Sequence, residues 1–146
     1  MKRRWYSLLK SRKGVVAMEF AMIATPLMLL TLGTIEFARL LWTQEALQAT
    51  AIQTARCIGV LSSSCASGGA FSSANATSYA QQVASGWGVA LSASTLTMSA
   101  SEASGACLGL SQVSISYTFE TVIPGLLAML SGGSALTAQA CFPNET

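Results

Sequence analysis

The chain has no histidine and no aspartate. Acid–base chemistry near neutral pH would rest on six glutamates, none of them paired with another at short spacing. A serine or cysteine nucleophile would find no imidazole to activate it. No GxGxxG turn, Walker A loop or CxxC pair occurs. These absences argue against an enzyme, and we expect no catalytic residue, no cofactor and no metal. Charge is also scarce, at 10% of 146 residues, against about 25% in ordinary soluble domains.

The little charge present is unevenly placed. Lys2, Arg3, Arg4, Lys10, Arg12 and Lys13 hold six of the eight basic positions. Past Gly14 only Arg39 and Arg56 face six glutamates, a formal −4. A nucleic-acid interface needs a basic face in the folded region, and this chain has none. The basic cluster instead reads as a topology signal that keeps the N-terminus in the cytoplasm and sends the rest outward. Cys57, Cys65, Cys107 and Cys141 all fall in that outward part. An even count without histidine favours disulfides over metal. Four cysteines allow three pairings. We favour Cys57–Cys65, which closes a helix-to-loop turn, and Cys107–Cys141, which ties two strands.

Residues 15–35 form an apolar run. At ~1.5 Å per residue, 21 helical residues span about 30 Å, the thickness of a bilayer core. Pro26 lies inside it, and Thr25 is placed to satisfy a freed backbone group. The helical pattern continues past the run. Phe37, Leu41, Leu47, Ala51, Ala55 and Ile58 recur at three-to-four-residue steps, while Glu36, Arg39, Thr43, Gln48 and Gln53 fall mostly on other faces. Glu36 and Arg39 are spaced to pair at i, i+3, and Gly59 is a plausible stop.

Residues 61–75 read as Ser/Gly-rich loop, with Gly68-Gly69 a turn. Residues 76–86 form a short helix with Tyr79, Val83 and Trp87 inward. The period then changes to two. Leu96, Met98 and Ala100, then Val113, Ile115, Tyr117 and Phe119, alternate with small polar residues as half-buried strands. Pro124-Gly125 opens a short apolar segment, Leu126 to Leu130, which Gly132-Gly133 closes. Residues 134–142 form a third strand with Leu136, Ala138 and Ala140 on one face. Trp87, Tyr117 and Phe119 read as core, and Trp5 and Trp42 as anchors flanking the span. Asn75-Ala76-Thr77 and Asn144-Glu145-Thr146 match the glycosylation sequon, in a chain rich enough in Ser and Thr for chance matches.

The fold class expected is therefore α+β: a long N-terminal membrane-spanning helix, then a small disulfide-stapled head with a short helix and an antiparallel sheet. Three parts follow: a basic leader at 1–14, a helical spine at 15–60 and an extracytoplasmic head at 61–146.

One pattern carries more than the rest. The basic leader ends at Gly14, the apolar run begins at Val15, and the run's single carboxylate, Glu19, stands five residues past the glycine. A charge inside a membrane-length apolar segment costs roughly 2.5–3.5 kcal/mol on insertion scales, so it asks for a partner. A peptidase that cuts after Gly14 would free the Val15 amine, and Glu19 of a neighbouring subunit could meet that charge. The plain alternatives are an uncleaved single-pass anchor and a secretory signal peptide. The second is disfavoured by the carboxylate at the start of the core and by the absence of an A-x-A site.

The segment from Gly14 to Arg56 resembles the N-terminal helix of TadE-like proteins, pseudopilins of tight-adherence (Tad/Flp) type IV pilus systems. Glu19-Phe20, the second unit Ile35-Glu36-Phe37-Ala38-Arg39-Leu40-Leu41-Trp42, and the trailing Ala51 with Ala55-Arg56 carry the resemblance. The tail from Val113 to Phe142 is similar to the family's strand, proline, apolar turn and strand. The resemblance implies a pilin-like fold and cleavage by a prepilin peptidase between Gly14 and Val15. It implies Glu19 as the assembly carboxylate, with Phe20 packing beside it. It also implies a bacterial inner-membrane subunit, single-pass, with its head in the periplasm. Its partners would be membrane lipid, other pilin subunits in a hetero-oligomer and the inner-membrane assembly machinery. The chain is larger than the nearly all-helical major pilin, which argues for a minor subunit acting in pilus assembly, initiation or capping, and so in adhesion. A type II secretion pseudopilin shares the anchor logic. A single-pass extracytoplasmic binding protein is the rival from another class.

Overall fold

The structure, a computed structural model, describes residues 13–103, 107–121 and 134–145. In chain order it contains α1 (Lys13–Gly59), β1 (Ala66–Ser67), β2 (Ala70–Phe71), α2 (Ser73–Gly86), a 3-10 turn (Ala93–Thr95), β3 (Leu96–Ser99), β4 (Ser111–Thr118) and β5 (Ala135–Phe142). This is the α+β order expected, with a long apolar helix first and a small disulfide-bonded head after it. The leader before Lys13, Trp5 and the apolar segment around Pro124 to Gly133 lie outside the described residues. Two compact units divide the chain, Met1–Phe37 and Ala38–Thr146.

In the first unit the helix exposes its apolar side chains all round, from Val15 at 55% to Leu30 at 65%. A helix apolar on every face belongs in lipid or in a protein core. This one is long and apolar enough to cross a membrane, with a mean hydropathy of 2.0 over its best window. Its hydroxyls bond to the helix itself. Thr31 donates to the Met28 carbonyl at 3.0 Å and Thr34 to Thr31 at 2.8 Å. Thr25 donates to Ala21 at 2.8 Å. That is one carbonyl earlier than the Met22 oxygen, which loses its usual donor to Pro26, so the repair expected of Thr25 is not the one observed. The i−4 geometry of a threonine hydroxyl sets the partner.

In the second unit the buried stripe of α1 is Leu40, Thr43, Leu47, Thr50, Thr54 and Ile58, with Ala46, Ala51, Ala55 and Cys57 beside it. Leu41 is half exposed, at 48%, as is Phe37, the last residue of the first unit, at 50%. Thr43, expected on another face, is buried at 9%; Glu36, also expected on another face, is buried at 5% and belongs to the first unit. Threonine is admitted to the core because its hydroxyl can return to its own helix. Thr43 donates to Arg39 O at 2.9 Å and Thr50 to Ala46 O at 2.7 Å. Each then presents a methyl to its neighbours. Thr54 Oγ1 is buried without a hydrogen-bond partner.

The end of α1 is a Schellman turn. Ser62 N–H donates to Cys57 O and Leu61 N–H to Ile58 O, both at 3.1 Å, with Leu61 at φ 47°. Gly59 precedes the turn and is needed for another reason. A Cβ there would lie 2.6 Å from Phe142 Cδ1 and 2.8 Å from the Pro143 carbonyl oxygen. The C-terminal segment passes that close because Glu145 N–H bonds the Gly59 carbonyl at 3.0 Å.

Beyond the turn, Cys57 bonds Cys65, with Cα atoms 5.9 Å apart. The region expected as loop contains a two-stranded hairpin, β1 with β2. Gly68 and Gly69 supply its two-residue turn with φ of 61° and 80°, the left-handed pair that a type I′ turn requires. Strands of two residues are too short for periodicity to show. Helix α2 starts three residues earlier than expected because Ser72 caps it, accepting from Asn75 N–H at 3.4 Å. Its buried face is Ala76, Ala80 and Ala84. Tyr79 and Val83 flank that face, and Trp87, expected inward, is 41% exposed. Small side chains at i, i+4 let the helix backbone approach the core, which leaves the larger residues at the margins.

The three-stranded sheet is antiparallel in the order β3-β4-β5. Val113 pairs with Met98 and Ala140, and Ile115 with Leu96 and Ala138. These rows join Leu47, Ile58, Ala76 and Ala84 in one core. Cys107 bonds Cys141 on β5, with Cα atoms 5.6 Å apart. No cysteine is free, and the two pairs are those favoured from sequence. Both sequon asparagines are engaged. Asn75 Nδ2 donates to Ala66 O at 2.8 Å. Asn144 Nδ2 donates to Ala100 O at 2.8 Å, and the Ser111 hydroxyl bonds Asn144 Oδ1.

Candidate functional site

The candidate site is the first two turns of α1. Lys13, Gly14, Val15 and Val16 form the first turn, and none of them is acidic. Glycine costs about 1 kcal/mol relative to alanine inside a helix, and β-branched valines are also weak helix formers. Gly14, Val15 and Val16 are thus weaker helix formers than the leucines and methionines further along α1.

Gly14 has nothing within 4 Å of the position a Cβ would take. The fold makes no steric demand for glycine there, in contrast to Gly59. Val15 is 55% exposed, so both sides of the bond are open to another protein.

Glu19 stands one turn beyond Val15. Its helical neighbours at i±3 and i±4 are Val15, Val16, Met22 and Ile23, exposed at 55%, 69%, 72% and 70%. The carboxylate is exposed and has no partner among the described residues. Phe20 is 72% exposed beside it. A lone charge ringed by apolar side chains on a helix that can enter lipid needs a counter-charge from outside this part of the chain. Gly14, Val15, Glu19 and Phe20 therefore share one short, uncovered segment. The four cysteines lie elsewhere and staple the head. Among the described residues no cluster of His, Cys, Asp or Glu is arranged to hold a metal.

Sequence reasoning missed the structural work of Gln44 and Gln48, which bond β5 through their side chains. Nothing in their own spacing points to a strand partner.

No curated protein and no solved structure matches the chain. A family model described as TadE-like protein matches residues 14–56. The match begins at the glycine before the apolar run and ends at Arg56, three residues before α1 ends. It covers the helix and leaves the strands of the head, including the tail from Val113 to Phe142, outside it. Over residues 14–56, the stretch that forms nearly all of its long helix, this chain is similar to the TadE-like proteins.

Proposed function

We propose that this protein is a minor pilin of a tight-adherence type IV pilus. A prepilin peptidase cuts between Gly14 and Val15, and the mature chain is held in the bacterial inner membrane by α1. The head, residues 61–146 with the α1 segment that packs on it, then lies in the periplasm. Glu19 meets the new Val15 amine of a neighbouring subunit and sets the axial stagger of packed helices, with Phe20 filling the space beside it. The subunit acts in assembling, initiating or capping the pilus, and through it in surface adhesion.

The observation that carries this reading is the uncovered start of α1. A glycine the fold does not require stands immediately before an apolar helix that holds one unpartnered carboxylate. A plain anchor needs neither feature, whereas a processed, assembling helix needs both.

The test is the intact mass and N-terminal sequence of the protein from membranes of its native host. A chain that starts at Val15 supports processing. A chain that retains Met1 sinks it and leaves a simple single-pass anchor.

A further inference from the structure

Within the second unit, α1 packs on the head through one face and leaves the opposite face bare. At about 100° per residue, Leu41, Glu45, Ile52 and Arg56 fall within an arc of about 60°, and all four are exposed. Leu47, Thr50 and Thr54, fully buried, lie across the helix from them. Trp42 borders this stripe but is engaged by the head itself. Its Nε1 donates to the Trp87 carbonyl at 3.3 Å, and the two rings stand edge to face with centroids 5.8 Å apart.

The stripe carries two charges of opposite sign that have nothing to meet. Neither Glu45 nor Arg56 has a partner among the described residues. Within one helix they are eleven residues apart, about 16.5 Å along the axis, so they cannot pair with each other. Arg39, the other cation of this unit, is already placed over the Phe119 ring at 5.6 Å. Arg56 lines a hollow together with Gln53, Ser62 and Tyr79. A carboxylate arriving there meets a guanidinium with an amide and two hydroxyls around it.

The spacing says which partner fits. Leu41 and Ile52 are also eleven residues apart. A second copy that runs parallel and is shifted by eleven residues brings Leu41 against Ile52 and Glu45 against Arg56 at once. An antiparallel copy that joined Glu45 to Arg56 would carry Leu41 past the end of α1 to Val60 and set Ile52 on Ala49. The head lies on the far side of each helix, so the two heads stay clear of the contact.

We propose that this face of α1 is where two copies of the protein pack side by side, parallel and offset by eleven residues. The apolar pair supplies the buried surface. An exposed ion pair contributes little affinity, so Glu45 and Arg56 fix the offset. The contact is head-to-tail, because one copy uses Leu41 and Glu45 and the other uses Ile52 and Arg56. It deepens the pilin reading by naming a partner for the helix, and it rests on that reading. Its offset is not the four steps from Val15 to Glu19, so the two contacts belong to different neighbours.

The test uses the full chain in detergent at low salt, with a benzophenone amino acid replacing Leu41 to keep the position apolar. Light and heavy isotopic copies are mixed, irradiated and mapped by mass spectrometry. The expected result is attachment to the other copy at or beside Ile52. Glu45→Lys alone and Arg56→Glu alone should each cut the cross-linking several-fold, and the two together should restore it. An unchanged melting transition of the head shows that the fold is kept in all three. Attachment around Val60 overturns the parallel offset. Attachment confined to the same copy, or charge reversals without effect, overturns the contact. The same probe in host membranes attached only to a different protein assigns the face to another subunit and overturns the proposal as well. A mature chain that starts at Val15 but gives no cross-link between copies overturns this contact alone and leaves the pilin reading standing. A chain that keeps Met1 overturns both.

Discussion

Gln48 donates its side-chain amide to the main-chain carbonyl of Gln139 at 3.1 Å. One turn earlier, Gln44 does the same to Thr137 at 3.0 Å. Four helical residues advance about 6 Å, and two strand residues about 6.8 Å, so the two ladders keep step. Strand β5 is an edge of its sheet. Open edge carbonyls are a template for pairing with another chain, and the two glutamines close this one. Replacing both with Ala should cost about 1 kcal/mol for each lost bond. Chemical denaturation of the purified protein in detergent should show a lower midpoint and more self-association. An unchanged midpoint would mean that the contacts carry no energy.

Gly59→Ala places a methyl 2.6 Å from Phe142 and 2.8 Å from the Pro143 carbonyl oxygen. Phe142 is a side chain and can move, but the carbonyl is backbone. The expected loss is about 1–3 kcal/mol, as for other overpacked sites. Adding Phe142→Ala should recover only part of it. Full recovery would show that the ring, and not the backbone passage, makes the site tight.

Leu61 and Gly88 occupy the same position in two Schellman turns, at φ 47° and 78°. A side chain in that region costs roughly 1–2 kcal/mol. Leu61→Gly should therefore stabilise the protein by about 1 kcal/mol and Gly88→Ala should destabilise it by a similar amount. If Leu61→Gly lowers the melting temperature, the packing of the leucine outweighs its backbone strain.

The disulfides span 8 and 34 residues. On the loop-entropy account, replacing Cys57 and Cys65 with Ser should cost about 2.5 kcal/mol, and replacing Cys107 and Cys141 about 4 kcal/mol. Thiol labelling of the denatured, non-reduced protein should find no free cysteine. Labelling of two or more would contradict both bonds.

Gly14→Leu should block processing while leaving the head's melting transition unchanged, since nothing in the fold surrounds that glycine. Glu19→Ala should leave processing intact and abolish piliation. The first is read by N-terminal sequencing and the second by counting pili on complemented cells. Normal piliation with Glu19→Ala removes the assembly role.

The site and the architecture were legible to different depths. Gly14, Val15 and Glu19 announce themselves because a charge and a glycine break an otherwise uniform apolar run. The two strands built on Val113–Phe119 and on Leu136–Ala140 also show, because side chains alternate across a sheet whatever lies beyond it. The inner face of α1 was misread at Phe37, Leu41, Glu36 and Thr43. Periodicity finds where apolar residues recur, and Phe37 and Leu41, which fit the repeat, are half exposed. Threonines that bond their own helix took the buried places instead. Trp87 was placed inward on size, but the α2 face that packs is the alanine one.

Sequence by itself determined the long apolar helix, the uneven charge, the isolated carboxylate and the even cysteine count, since each is a property of composition along one element. Tertiary structure decided which face of α1 is buried, why Gly59 must be glycine, how β5 is closed by Gln44 and Gln48, and that Trp42 meets Trp87. Each of those depends on groups distant in sequence, and their contacts exist only after the chain has returned on itself.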